Sequence, residues 1–367
     1  MVYPPPHLPV AMMQKAAIKT CSVRRRRIHS YAGAGHRSSV AQQVHNAYAD
    51  MLSVAGLRRD HLICPVFVSE ERPQQGQGGT IVAAMPGVTV APSFKGAVLS
   101  VQKIFDAGIR AIIIFGIPKS RDGDGSAAAD RNGVVQGATR EIKSAFGRSL
   151  DVITDVCVCQ YNLSGHCGLM RKGTVTATTA VDNDSTLGLL AEISQSHAEA
   201  GADIVAPSAM MDGQVRAIRR ALDSSGHFAT RILSYSAKHA SSLYAPFRSA
   251  AFAKKKGAID KAGYQVSYAN PRQAMREIAS DVDEGADMVM VKPGLAYLDL
   301  VRRAKEQFSV PLAVQNVSGE YAMIKAAGMR GWIDEEQWKV ASLAAMKRAG
   351  ADRIISYFAL DVARYLE

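Results

Sequence analysis

The sequence predicts an α/β fold, a (β/α)₈ barrel of the TIM type with a basic N-terminal extension, and three observations carry that prediction. Short, β-branched apolar runs alternate with longer amphipathic segments from about residue 60 onward. Eight such runs, each followed by a helical stretch, fill roughly 300 residues, which is the arithmetic of a closed parallel barrel. Several joints between helix and strand repeat one small phrase: Ala107-Gly108-Ile109, Ala200-Gly201-Ala202-Asp203, Glu284-Gly285-Ala286-Asp287 and Ala349-Gly350-Ala351-Asp352. Each glycine falls where a helix would end in the left-handed conformation, just before a strand begins.

The strands are expected at 64–68, 111–116, 151–158, 203–208, 231–235, 288–291, 311–317 and 353–358. Their near-continuous apolarity fits strands covered on both faces. Between them lie helical patterns such as 186–200, 214–224, 271–284 and 336–349. A doubly wound open sheet is the rival, but it would carry a glycine-rich phosphate turn after its first strand. The glycine stretch at 76–79 precedes no helix pattern and reads as loop. The organisation is then an arm at 1–58 and a barrel at 59–367. A barrel also makes a demand: chemistry belongs at the C-terminal ends of its strands.

Of the 367 residues, 47% are apolar and 21% charged, ordinary values for a globular chain. Wholesale disorder, a collagen-like rod and a disulfide-stapled mini-protein are excluded. No run of about eighteen apolar residues exists, so a membrane-spanning helix is excluded and no membrane partner is expected. The net charge of +11 is uneven. Residues 1–49 hold no acid and seven bases (Lys15, Lys19, Arg24, Arg25, Arg26, Arg27 and Arg37), leaving 37 bases against 33 acids elsewhere. No aromatic residue interleaves with the arginine run to stack on bases, so no nucleic-acid partner is expected. The reading adopted is a solvated arm that packs on another subunit of a cytoplasmic protein. The alternative is an organelle (plastid or mitochondrion) transit peptide, whose acid-free, Ser- and Ala-containing composition this segment shares.

Three of the five cysteines, Cys157, Cys159 and Cys167, crowd into eleven residues. Too few for a secreted disulfide scaffold, they point to metal or catalysis in a reducing compartment. Two apart on an extended chain, Cys157 and Cys159 should face one side, and a short loop can return Cys167 to them. Three thiolates suit a soft divalent ion such as zinc and leave a fourth position open; His166 is the alternative fourth ligand. Three inert buried cysteines would be the blander reading, but C-x-C-x₇-C at a strand end is too concentrated for it.

Lys238 is expected just beyond the fifth strand and Lys292 at the end of the sixth. Desolvation at a buried strand end favours the neutral amine, the nucleophile that forms a Schiff base with a ketone. A single such lysine more often reaches solvent past the rim. Two on adjacent strands point to two carbonyl substrates, each held by its own lysine. Ser318 and Tyr357, at the ends of strands seven and eight, could hydrogen-bond an anionic group, and Arg248 and Lys261 could clamp a carboxylate. Each of these, alone, reads as a capping, packing or surface residue.

Together these phrases resemble the porphobilinogen synthase (5-aminolevulinate dehydratase) family, over some 300 residues from Cys64 onward. The carrying motifs are Asp155-Val-Cys157-Val-Cys159 with Gly165-His166-Cys167-Gly168, Ser234-Tyr-Ser-Ala-Lys238 and Met290-Val-Lys292-Pro-Gly294. Val205-Ala-Pro-Ser208, Met210-Met-Asp-Gly213 and Val317-Ser-Gly-Glu320-Tyr321 add to them. The resemblance implies condensation of two 5-aminolevulinate molecules to porphobilinogen with loss of two waters, in tetrapyrrole biosynthesis. It makes Lys292 the lysine of the propionate-side substrate and Lys238 that of the acetate side. Ser318 and Tyr357 match binders of the first carboxylate, and Arg248, Lys261 and Gln265 those near the second. Cys157, Cys159 and Cys167 match the zinc-dependent members. Glu277 has the spacing of a carboxylate that holds an allosteric magnesium, and the family's octamers imply a homo-octamer here.

The sequence also departs from the family. Lys261 replaces a frequent arginine, Ala209 and Gln214 stand where Asp and Arg are common, and His239 replaces a common phenylalanine. Gln315-Asn316 replaces a frequent aromatic-containing pair. None of these removes a nucleophile or a thiolate. Two rivals leave features unexplained. A Schiff-base aldolase for phosphorylated sugars needs one lysine and a phosphate loop, and has no use for the cysteines. A non-catalytic, zinc-holding polyanion binder has no use for two strand-end lysines.

Overall fold

A computed structural model describes residues 40–70, 80–171, 181–251 and 259–366. The seven Lys and Arg residues of 1–49 and the glycine stretch at 76–79 lie outside the described residues. Eight strands form the centre: β1 (Leu62–Ser69), β2 (Ala111–Ile117), β3 (Asp151–Val156), β4 (Ile204–Pro207), β5 (Arg231–Lys238), β6 (Met288–Lys292), β7 (Leu312–Asn316) and β8 (Arg353–Ser356). They pair in parallel and in chain order. β8 returns to β1 through Leu62↔Ile354 and Ile63↔Ile355, closing the barrel that the sequence predicts. A short antiparallel hairpin, Thr80–Ile81 with Thr89–Ala91, extends from β1 outside the closed set.

The strands bury both faces, as their sequences require: six of the seven residues of β2 are buried. The helices show one apolar stripe each. Helix Gln214–Ser224 buries Val215, Ile218 and Leu222 at helical spacing. Asp182, Asn270 and Asp334 cap three helices by accepting a bond from a first-turn amide.

The repeated glycine joints are built as expected. Gly108, Gly201, Gly285 and Gly350 all have positive φ, from +85° to +126°. The aspartate that follows three of them has its own task. One carboxylate oxygen of Asp203, Asp287 and Asp352 accepts from the amide of Val152, Ile232 and Leu312 respectively, each at 2.8 Å. Each carboxylate therefore ties one strand start to its neighbour at the bottom of the barrel. Residues Gln43–Glu367 form one compact unit, in which Tyr48 and Leu52 of helix Val40–Val54 belong to the core. The Tyr48 ring meets that of Tyr365 at 5.3 Å.

Candidate active site

At the opposite end, where the strands finish, a cleft holds about 550 Å³ of empty space, its open mouth included. Lys238 is the last residue of β5, which runs three residues further than expected, and Lys292 is the last of β6. The two are direct partners in the β5–β6 ladder, so both side chains leave the sheet on one side. Lys238 is buried, and its Nζ donates to the Ser208 carbonyl, which follows β4. Lys292 lies over aromatic faces instead, its Nζ 4.8 Å from the Tyr235 ring centre and 5.3 Å from that of Tyr244. Burial, with the neighbouring Lys238 charge, pushes the Lys292 amine down to about 7. Asp155, buried across the cleft and bonded at 3.3 Å to the Gln160 amide, opposes that shift. Its own carboxyl is held above the usual range by burial.

The cysteines meet, by a route that differs from the expected one. β3 stops at Val156, two residues early, because the amides of Tyr161 and Asn162 both bond the Val158 carbonyl and turn the chain. Cys157 and Cys159 thus sit on a turn rather than an extended strand, yet their sulfurs are 3.3 Å apart. Cys167 joins them on a loop held by Asn162, whose side chain bonds the Gly165 amide and the His166 carbonyl. All three sulfurs lie within 4.8 Å of one another, and all three residues are buried. Tetrahedral zinc with sulfur ligands at ~2.3 Å needs sulfurs roughly 3.8 Å apart, so this donor set fits such an ion. His166 is not in the cluster; its Nδ1 faces the Tyr264 hydroxyl at 3.2 Å. Cys157 and Cys159 hydrogen-bond the Cys167 sulfur, which holds that thiol well below its usual range.

The carboxylate binders expected from the resemblance all line the cleft: Arg248, Lys261, Gln265, Ser318 and Tyr357. The segment bearing Lys261 and Gln265 is tied to the end of β5, since the Val266 amide bonds the Lys238 carbonyl at 3.1 Å. Lys261 is turned toward the metal loop, its Nζ donating to Cys167 Sγ at 3.1 Å. Ser318 is the first residue of helix Ser318–Met329 rather than a strand end. Its hydroxyl donates to the Leu243 carbonyl and accepts from the Phe247 amide, both at 3.1 Å. That pins helix Ala245–Ala251 across the mouth, where Phe247 packs on Phe67 and Phe115 at 5.6 and 5.1 Å.

Glu277 is elsewhere, in a second cavity with Asp212 and Asp281. It belongs to no group of three close metal-ligating side chains among the described residues. Burial and the Asp212 charge push its carboxyl up. His239 points away from the cleft, stacked on Tyr297 at 3.7 Å with Nδ1 3.3 Å from the Lys292 carbonyl, and burial pushes its pKa down. Ala209 is fully buried, and Gln214 accepts weakly from the Met211 amide.

Several cleft residues carried no role in the sequence reading: Asp155, Ser208, Tyr244 and Phe247. Each stood beside a motif residue, which was the signal available. Gln315, noted only as a departure, also lines the cleft; it is 2% exposed and its buried Oε1 has no hydrogen-bond partner among the described residues.

A parallel barrel with two paired lysines and a three-thiol loop at its C-terminal mouth defines a class of barrel suited to amine–carbonyl chemistry beside a metal. Comparison with known proteins narrows that class. Residues 37–365 match the family model described as delta-aminolevulinic acid dehydratase. A relative of that name from Archaeoglobus fulgidus is 46% identical over 318 residues, covering 86% of this chain and 94% of its own. Another, from Staphylococcus epidermidis, is 44% identical, covering 87% and 95%. A solved structure of the Toxoplasma gondii enzyme, in complex with its reaction product porphobilinogen, superposes with a TM-score of 0.78 at 36% identity, over 84% of this chain and 85% of that one. The chain belongs to the delta-aminolevulinic acid dehydratase family. No helix among the described residues is long and apolar enough to cross a membrane.

Proposed function

We infer that this chain is a 5-aminolevulinate dehydratase, a lyase that condenses two 5-aminolevulinate molecules to porphobilinogen and releases two waters. The observation that carries the mechanism is the Lys238↔Lys292 pair at the mouth of the barrel. Lys292, near half neutral at pH 7, attacks the ketone of the propionate-side substrate. Its neutral form costs least in this position because Lys238 already places a cation beside it. Lys238 takes the acetate-side substrate, its nitrogen oriented by the Ser208 carbonyl. Two ketones held on adjacent strands turn a bimolecular condensation into a local one.

Ser318 and Tyr357 hold the first carboxylate. To donate to it, the Ser318 hydroxyl exchanges the Leu243 carbonyl for the substrate, so occupancy is linked to the helix across the mouth. Arg248, Lys261 and Gln265 face the second carboxylate. Cys157, Cys159 and Cys167 would hold zinc, which when bound supplies a Lewis acid for substrate oxygen or amine. Lys261 then has two anionic neighbours to choose between, thiolate and carboxylate. A magnesium ion at Glu277 would be regulatory, since that cavity is lined by residues other than those of the cleft. A homo-octamer, a 1–58 arm, and a cytoplasmic or organelle location complete the reading; the family resemblance and the basic N-terminus are what support them.

Pyrrole formation from 5-aminolevulinate, read by colour with an acidic aldehyde reagent, tests this with and without a zinc chelator. Colour that is lost on chelation and restored by zinc is the expected result. Colour indifferent to chelation would remove the three cysteines from the mechanism, and no colour from folded, reduced, zinc-replete protein would overturn the reading.

A further inference from the structure

The two lysines differ in one respect that the proposed reaction leaves unused. Lys238 has a neutral oxygen acceptor, the Ser208 carbonyl, already on its nitrogen. Lys292 has aromatic faces and a partner lysine. Beside it stands Gln315. The β6–β7 ladder pairs Val291 with Val314, so the next residues, Lys292 and Gln315, stand at one level. Lys238, Lys292 and Gln315 thus form a row across three consecutive strands, with Lys292 in the middle. All three line the cleft.

A carbonyl oxygen left buried without a hydrogen bond is costly, and a buried amide is ordinarily satisfied. The cost is rational where the missing donor arrives with the ligand. Lys292 carries N–H donors before it reacts, but its nitrogen then lies over the Tyr235 and Tyr244 rings and gives none to Gln315. As a neutral amine it has no charge for an acceptor to offset, and linkage to the ketone changes that. Its nitrogen lone pair forms the bond to the ketone carbon, giving a carbinolamine. The former ketone oxygen takes one proton from that nitrogen and a second from solvent and leaves as water, while the nitrogen keeps one hydrogen and becomes an iminium N–H⁺. That step creates a positive charge where burial and Lys238 both oppose one.

We propose that Gln315 is a catalytic residue of this chain, its Oε1 accepting the hydrogen bond from the Lys292 iminium as Ser208 accepts from Lys238. It rests on the reading that Lys292 links to substrate. The row geometry and the orphaned oxygen are particular to glutamine at this position; a side chain of similar length without an oxygen would leave the iminium unsupported.

The test uses 4-oxopentanoate, which keeps the carboxylate and ketone of the substrate and cannot complete the condensation. Zinc-loaded full-length protein is reduced with borohydride over a range of ketone concentrations, and the adduct is located by peptide mapping. Q315M, close in shape and lacking the acceptor, is expected to need roughly tenfold more ketone to half-saturate trapping at Lys292, the scale of a hydrogen bond to a charged group. Q315E, which restores an oxygen, is expected to half-saturate at a lower ketone concentration than Q315M. Trapping at Lys292 that is unchanged in folded Q315M would overturn the proposal while leaving the lysine chemistry intact. No trapping at Lys292 in the unaltered protein would instead overturn the reading beneath it. Should Q315M unfold, the unreduced imine of the unaltered protein with 4-oxopentanoate still decides: its C=N stretch is expected to fall in D₂O, and a stretch that does not move shows an imine without the N–H⁺ that Gln315 would bind and contradicts the proposal.

Discussion

The two ends of this barrel are made from the same eight strands and do opposite things with their polar groups. At the start of the strands, Asp203, Asp287 and Asp352 spend their carboxylates on backbone amides and on nearby cations, Lys143, Arg219 and Lys305. At their finish, a lysine nitrogen lies over aromatic rings, three thiols crowd together, and a glutamine oxygen has no partner among the described residues. One rim resolves its electrostatics within the fold, and the other leaves them for a ligand to resolve. Strand direction separates the two ends: carboxylates tie the fold where the strands start, and the cleft opens where they finish.

The separation can be broken most severely at Lys292. K292M should lower pyrrole formation by ~10³-fold or more, while the denaturant midpoint holds or rises because a buried amine whose charged form burial opposes is gone. A large loss of stability in K292M would show that the upper rim also holds the fold together. C167S should come next: the proposed zinc site should lose its metal and activity should drop by at least about 100-fold, checked by metal analysis beside the colour assay.

The pH response sharpens the contrast. Burial lowers the Lys292 pKa to about 7, so the nucleophilic neutral form grows as pH rises through that value. Initial rates of borohydride trapping at Lys292 should therefore rise about tenfold between pH 6 and pH 8. A flat profile across that range would mean the amine is not perturbed as its position requires. The smallest effect belongs to the lower rim. D352A should cost about 1.5–3 kcal/mol in denaturant unfolding, because the Leu312 amide and Lys305 lose their partner, with kcat unchanged.

Much of this was legible in the sequence, for physical reasons that can be named. Apolar β-branched runs dictate strands buried on both faces, and a glycine that must adopt positive φ marks its own joint, as at Gly201 and Gly285. The lysines and cysteines were legible because few other uses exist for those groups at buried strand ends. What the sequence hid is long-range. The aspartate after each glycine was visible, but not the neighbouring strand's amide that it serves. Cys157 and Cys159 were placed on a strand, since nothing local announced the turn made by the Val158 carbonyl. Phe247 closes the mouth against Phe67 and Phe115, residues from strands it follows by more than a hundred positions, and no periodicity reports such a contact. Gln315 read as a mere departure until its neighbours were known.

In the proposed reaction, two lysines on adjacent strands each carry one substrate. Borohydride reduction in the presence of 5-aminolevulinate, followed by peptide mapping, tests it directly. Adducts at Lys238 and Lys292, with none at Lys261, Lys143 or Lys305, are the predicted result. Pyrrole formation accompanied by an adduct at only one lysine, or at none, would contradict it.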